Sequence, residues 1–480
     1  MKINKIFIFL LFIISVYGCK KDLGNYTYKT LPVADAIGVQ DQTFPAIEGD
    51  SLIIKPYVVF TGGDPLKDLT YTWEIDIPEQ LTSETYTGFP LAIVYNLAPA
   101  VRSAKLTITV KATGVKYFYT FKINGITQFS TGRTVLSVQN GVTKLSFVKP
   151  NAAKTVLSDL YATLNGETLP ANPVQLYAKP FPAYTGSTGV QQYWIMCNDP
   201  TKSSVMIDAS TMMKVSDFSQ QFLSPPAVIT INNLQVDPRG YIGTANGVIN
   251  NKLYLGITTT APFAPDYGKY GNPQPGNYTM SPFFTQTPNF FFGFDTKAGA
   301  FISFDGAGDY NGSDYQVNGS AFDPTATGIH NLLFMQAESG TSYAFLESDQ
   351  GTIYEYSFTL TMDDYSNRTL LPIYKRVFAG ASLVQPDTKW QKSQVDEFYF
   401  SSNDKVYSYN PINQKITQLT ADFGGSKITM LQLSGDGNTL TVGVDGSIYF
   451  LDVSVGATGS IITAQTITGI PGTPVDMVSQ

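Results

Sequence analysis

The sequence predicts an all-β chain, with a small sandwich followed by a larger domain of repeated antiparallel hairpins. Three observations predict it. Charged residues are 14% of the chain and aromatics 13%, with 31 Phe and 29 Tyr against 3 Trp, a balance that suits pleated sheets better than helices. Apolar and polar residues alternate with period two through several segments, as in Leu69-Thr70-Tyr71-Thr72-Trp73-Glu74-Ile75. A strand, turn, strand unit then recurs through the C-terminal three quarters.

The N-terminus precedes this body and has its own logic. Lys2 and Lys5 lead into the apolar run Ile6–Val16, which is too short to span a bilayer and has the length of a signal-peptide core. The run ends at Ser15-Val16-Tyr17-Gly18-Cys19, the form of a bacterial lipoprotein signal, in which the chain is cut before a cysteine that receives lipid. Residues 1–18 are therefore expected to be removed, Cys19 to be lipidated, and residues 19–38 to form a polar tether. The anchor places the protein on the outer membrane. Lys20-Lys21-Asp22 is a weak acidic signal for the outer surface, and the periplasmic face is the alternative. With Cys19 used for lipid, Cys197 is left alone, so no intrachain disulfide is expected. Its apolar run Tyr193-Trp194-Ile195-Met196-Cys197 predicts a buried, inert thiol.

Residues 39–127 read as an immunoglobulin-like sandwich. Ser51–Phe60 is one strand region, Gly62-Gly63-Asp64-Pro65 a turn, and Trp73 a core residue in a central strand. Lys105–Val110 and Tyr117–Ile123 make a late hairpin across Thr113-Gly114. Short helical turns are expected only at Pro99–Ala104 and Asn151–Leu160.

Residues 128–480 carry the repeats. Phe398–Asp404 leads to Val406–Asn410, Tyr343–Asp349 to Ile353–Ser357, and Leu440–Gly446 to Ile448–Asp452. Looser copies end near Asn140, Asp208, Gly256 and Asp295. The seven copies fall about 40 to 70 residues apart, the spacing of propeller blades with loop insertions, which predicts a β-propeller of about seven blades.

Composition excludes some functions. A net charge of −7 gives no footprint for a phosphate backbone, so nucleic acid is not an expected partner. His330 is the only histidine, which excludes a His-rich zinc site and leaves one residue for any catalytic triad; a turn role is expected for it. No catalytic residues and no resident metal are assigned. Asp305–Asp314, where Asp305, Asp309 and Asp314 alternate with small residues, has oxygen donors for calcium, but the order of an EF-hand loop is not met and a plain turn is expected. A hydrolase or lyase would need two carboxylates; those of the repeats include Glu167, Glu338, Glu347, Glu355 and Glu397. The segment 261–295 is rich in Pro, Gly and aromatics. Tyr267, Tyr270 and Tyr278 on it are candidate sugar platforms, together with Asp305, Asp309 and Asp314 as hydroxyl acceptors; packing under a neighbouring blade is the alternative.

Cys19–Tyr28, the strand Tyr71-Thr72-Trp73 and the C-terminal runs Tyr407–Pro411 and Ser434–Leu440 resemble the PKD-like family lipoproteins. Thr109-Val110-Lys111-Ala112 departs from the usual Thr-Val-Thr-Asp, which marks the sandwich as divergent. The resemblance implies an accessory binding protein for glycan or glycopeptide capture beside an outer-membrane nutrient importer. Two alternatives stand beside that reading: a polysaccharide hydrolase or lyase acting on the propeller face, and a structural subunit of the importer complex.

Overall fold

A computed structural model describes residues 31–182, 189–238, 244–261, 264–336, 340–362 and 368–480. The expected signal, Cys19 and most of the tether lie outside the described residues. The chain divides after Gly125 into two units.

The first unit is a β-sandwich. Its larger layer has five strands in the order Thr43–Ile47, Lys116–Ile126, Val101–Val110, Leu69–Ile77, Thr82–Thr87. Leu69, Tyr71, Trp73 and Ile75 all point into the core, as the alternation requires. Trp73 is fully buried against the edge of Phe121, and its indole N–H donates to the Gly88 carbonyl at 2.9 Å. Packing alone therefore satisfies both the apolar body and the polar tip of this side chain.

Four expectations are corrected here. Ser51–Phe60 is two strands: Pro56 cannot donate to a ladder, and Ser51–Ile54 pairs with Leu91–Val94 while Tyr57–Phe60 pairs with Ala34–Ile37. That second pairing also begins the sandwich at Ala34, inside the expected tether. Pro99–Ala104 is not helical, because Arg102, Ala104 and Leu106 face the core on the strand Val101–Val110. In the second unit the helix falls at Leu160–Asn165, just beyond Asn151–Leu160, which contains the short strand Val156–Leu157.

The second unit is a β-propeller. Its described residues form seven sheets, antiparallel but for the pairing of Gln316–Val317 with Arg368–Val377. Blade 1 joins Arg133–Gln139, Val142–Val148 and Val156–Leu157 to the C-terminal strand Thr473–Ser479, which is its innermost member. Blades 2 to 7 begin with inner strands Pro173–Pro180, Ile231–Val236, Met280–Gln286, Asn331–Gln336, Trp390–Lys392 and Ile428–Leu433. Blade 3 has three strands and the others four or more. Because each blade is covered on both faces, its middle strands are buried throughout, as in Tyr193–Cys197 and Phe398–Ser402. This is why the repeats read as unbroken apolar runs.

The Asp or Asn that ends many of these runs is a turn former. Asp208 accepts from the Ser210 and Thr211 amides, both at 2.9 Å; Asp295 accepts from Lys297, Asn410 from Ile412 and Asp452 from Ser454. Such side-chain caps set the tight turn to the next strand.

The ring is closed by the C-terminus. Thr473–Ser479 pairs with Arg133–Gln139, and Gly132 and Gln480 exchange two backbone hydrogen bonds at 3.0 Å.

Candidate functional site

The inner strands determine what the propeller axis can offer. Gln391 of blade 6 donates to the Leu431 carbonyl of blade 7 at 3.0 Å. Gln432 of blade 7 donates to Asp476 on the closing strand of blade 1. Asp476 in turn accepts from the Leu176 amide of blade 2 at 2.7 Å. Gln175 bonds both backbone groups of Leu234 in blade 3, at 2.8 and 2.9 Å. Asn233 and Gln235 then donate to the Pro282 and Phe284 carbonyls of blade 4, each at 3.0 Å. Blades 4, 5 and 6 complete the circuit with rings, Phe283 edge-on to Phe334 and Phe334 stacked on Trp390.

This belt ties Gln175, Asn233, Gln235, Gln391, Gln432 and Asp476 to neighbouring blades. Asp476 is the only carboxylate on the seven inner strands. Burial raises its pKa from 3.8 to about 6, although the Leu176, Met477 and Gln432 donors oppose the rise. Its role is a strut between three blades.

Between blades 6 and 7 lies a groove of about 610 Å³, within the range of small-molecule sites. Tyr399 and Leu419 form its buried apolar lining, and Glu397, Ser408, Asn410, Asp436 and Asn438 line it with polar groups. Val395 and Val455 also line it and are 69% and 97% exposed. The turns from Ser393 and Ser434 position the acids: Ser393 Oγ accepts from the Glu397 amide, and Asp436 accepts from the Asn438 amide at 3.1 Å and from the Ser434 hydroxyl. Those bonds hold Asp436 below the usual carboxylate range. Burial, then the nearby Glu397 carboxylate, push the Tyr399 phenol up, so it stays a neutral hydroxyl directed at Glu397. Gln394 spans the two blades, donating to the Gly435 carbonyl at 2.9 Å. No Lys or Arg lines the groove among the described residues. The arrangement presents hydroxyl and carboxylate acceptors beside exposed apolar tips.

The residues expected to bind ligand lie elsewhere. Tyr270 is fully buried, with its ring against Phe218, Phe222 and Tyr254, and burial drives its phenol far above the ordinary value. Tyr278 is buried against Phe304 and Tyr310, with the Lys252 ammonium 4.0 Å from its ring centre. Neither ring has a face for a sugar, and this corrects the platform reading for both. The reason is local: blade 3 has three strands, and the Pro/Gly-rich segment covers that blade through bridges from Tyr270 to Gly256 and Phe222. Tyr267 remains half-buried.

Asp305 spends its carboxylate on its own turn, accepting from the Ala307 and Asp309 amides at 2.9 Å, while Asp309 and Asp314 are exposed. Among the described residues, no group of three or more His, Cys, Asp or Glu could hold a metal ion. His330 sits exposed with Nδ1 3.1 Å from the Thr296 carbonyl. Cys197 is buried, and its thiol is pushed up to about 12, chiefly by burial. Of the carboxylates weighed for hydrolysis, Glu355 is buried in a bidentate pair with Arg376, Glu347 accepts from Asn331 at 2.8 Å, and Glu167 pairs with Lys214 at 3.0 Å. Glu338 lies outside the described residues. Only Glu397 of that set lines the groove. Asp436 was missed as its companion, because nothing in sequence says that the Glu397 and Asp436 turns are neighbours.

Comparison with known proteins gives one family and several similar folds. No curated protein matches the chain. A quinonprotein alcohol dehydrogenase-like protein from Bacteroides thetaiotaomicron is 14% identical, with a TM-score of 0.42 over 93% of this chain and 99% of that one. A putative 6-phosphogluconolactonase from Bacteroides fragilis is 13% identical, with a TM-score of 0.40 over 73% of this chain and 98% of its own. The extracellular domain of a putative hybrid two component system from Bacteroides thetaiotaomicron is 10% identical, with a TM-score of 0.38 over 94% and 68%. Residues 19–173 match the model of the PKD-like family, a span that runs through the sandwich and stops where the inner strand of blade 2 begins. Over its N-terminal third the chain is thus similar to the PKD-like family, and a β-propeller follows that stretch.

Proposed function

We propose that the chain is a lipid-anchored surface protein that captures a glycan or glycopeptide in the groove between blades 6 and 7, beside an outer-membrane nutrient importer. The observation that carries the binding reading is the groove itself: Glu397, Asn410, Asp436 and Asn438 line one concavity that also carries the exposed valines 395 and 455. Sugar hydroxyls donate to the two carboxylates and the amide oxygens, and the apolar C–H faces of the rings lie against the valines. The carboxylates disfavour a uronate or sulfated chain by like-charge repulsion, so the ligand is a neutral one.

Affinity electrophoresis of the mature chain against a polysaccharide panel tests this. Retardation by a neutral glycan is expected, and Glu397→Gln with Asp436→Asn should weaken it about tenfold with the thermal melt unchanged. A panel with no retarding glycan refutes the reading. The anchor is tested by the mass of protein purified from native membranes, which should begin at Cys19 and carry acyl chains.

The same two carboxylates favour a second reading, hydrolysis or lysis of the bound chain. It predicts released oligosaccharide from some polymer in the panel, abolished by either single substitution. Pull-down from native membranes tests association with an importer.

A further inference from the structure

The smaller layer of the sandwich turns an apolar face outward. Along residues 51–60 the core takes Leu52 and Ile54, while Ile53, Tyr57 and Val59 are exposed, Tyr57 by 71%. Ile37 faces Tyr57 across the strand pair, and Val33 continues the same side beyond Asp35, held by its paired bonds to Thr61. Leu31, the first described residue, is exposed too. Lys55 and Asp35 are the charges among these alternating positions.

The polypeptide enters the fold through this face. Eleven residues separate Leu31 from Cys19. A chain of that length reaches at most about 40 Å and averages about 20 Å if flexible. An anchor at Cys19 therefore holds this face near the bilayer at high effective concentration, where even weak lipid affinity counts.

We propose that this face rests on the lipid surface, with Ile37, Ile53 and Val59 at the boundary between headgroups and acyl chains. The inference rests on the reading of Cys19 as the lipid anchor. Tyr57 suits that depth because its ring is apolar and its hydroxyl is wet. Lys55 lies beside it and favours anionic headgroups. A phospholipid surface is favoured over a second copy of the chain because the anchor and the face share one end of the polypeptide.

The test uses the mature chain as Cys19→Ser, which cannot be acylated, floated with vesicles of phosphatidylethanolamine and phosphatidylglycerol. A measurable floated fraction is expected. Ile37→Asp with Val59→Lys should lower it about tenfold, and Tyr57→Ser alone severalfold, while Val228→Asp on the propeller leaves it unchanged. Tyr57 is exposed enough that its loss spares the fold, which circular dichroism checks. No flotation of the Cys19→Ser chain, or equal flotation of all variants, overturns the proposal. So does concentration-dependent dimerisation that the same substitutions abolish. Native protein without acyl chains would refute the anchor, a result read by mass and separate from the vesicle outcome.

Discussion

Asp476→Asn isolates the strut at the ring closure. Asp476 is buried, and its pKa rises from 3.8 in the unfolded chain to about 6 in the folded one. Between those values the folded state holds the proton more tightly, so stability falls as pH rises through this window. At ~1.4 kcal/mol per tenfold change in proton affinity, the group alone removes about 2 kcal/mol between pH 4 and pH 7. Asparagine has the same shape and no charge. Its oxygen can still accept from the Leu176 amide, and Gln432 can rotate its amide to offer an oxygen to the new N–H₂. The variant should therefore lack this pH-dependent loss. Denaturant unfolding followed by fluorescence, with Trp194 and Trp390 inside the propeller, gives the difference between variant and parent from pH 4 to 7.5. That difference should move in favour of the variant by about 2 kcal/mol, with most of the change between pH 4 and 6. A flat difference, or one that favours aspartate increasingly as pH rises, would show that the three N–H donors outweigh desolvation and that the strut works as an ionised group.

Two further predictions follow from packing. Arg376→Ala should cost about 3 kcal/mol in denaturant unfolding, because it strands the Glu355 carboxylate, which also accepts from Tyr374 and Tyr409; Glu355→Gln in the same background should recover part of the loss. Gly472→Ala should weaken ring closure by about 2 kcal/mol, because Gly472 has φ +66° and an added Cβ would sit 2.1 Å from the Val138 carbonyl oxygen; limited proteolysis should then release the C-terminal strand first.

Much of the architecture was legible before any coordinates. Five of the seven repeat ends, 208, 295, 357, 410 and 452, fall in five different sheets, and 140 and 256 lie just past strands of the other two. They were readable because blade strands are buried on both faces and are punctuated by Asp or Asn turns, both local properties. Trp73 was readable as core from its alternation with Leu69, Tyr71 and Ile75. The aromatic segment misled because Tyr270 and Tyr278 look the same in sequence whether they cover a ligand or a blade. Among the described residues blade 3 has three strands, a property of the sheet, and both rings pack onto that blade.

Sequence alone determined the elements: period two, turn chemistry, an unpaired Cys197 and an N-terminal run ending at Cys19. Tertiary structure decided what meets what. Gln432 and Leu176 lie 256 residues apart, yet both bond Asp476, and the Glu397 and Asp436 turns share a groove. The physical reason is closure: a ring assembled from local hairpins places residues side by side according to blade order and strand position, and those neighbours lie far beyond the range of any local pattern.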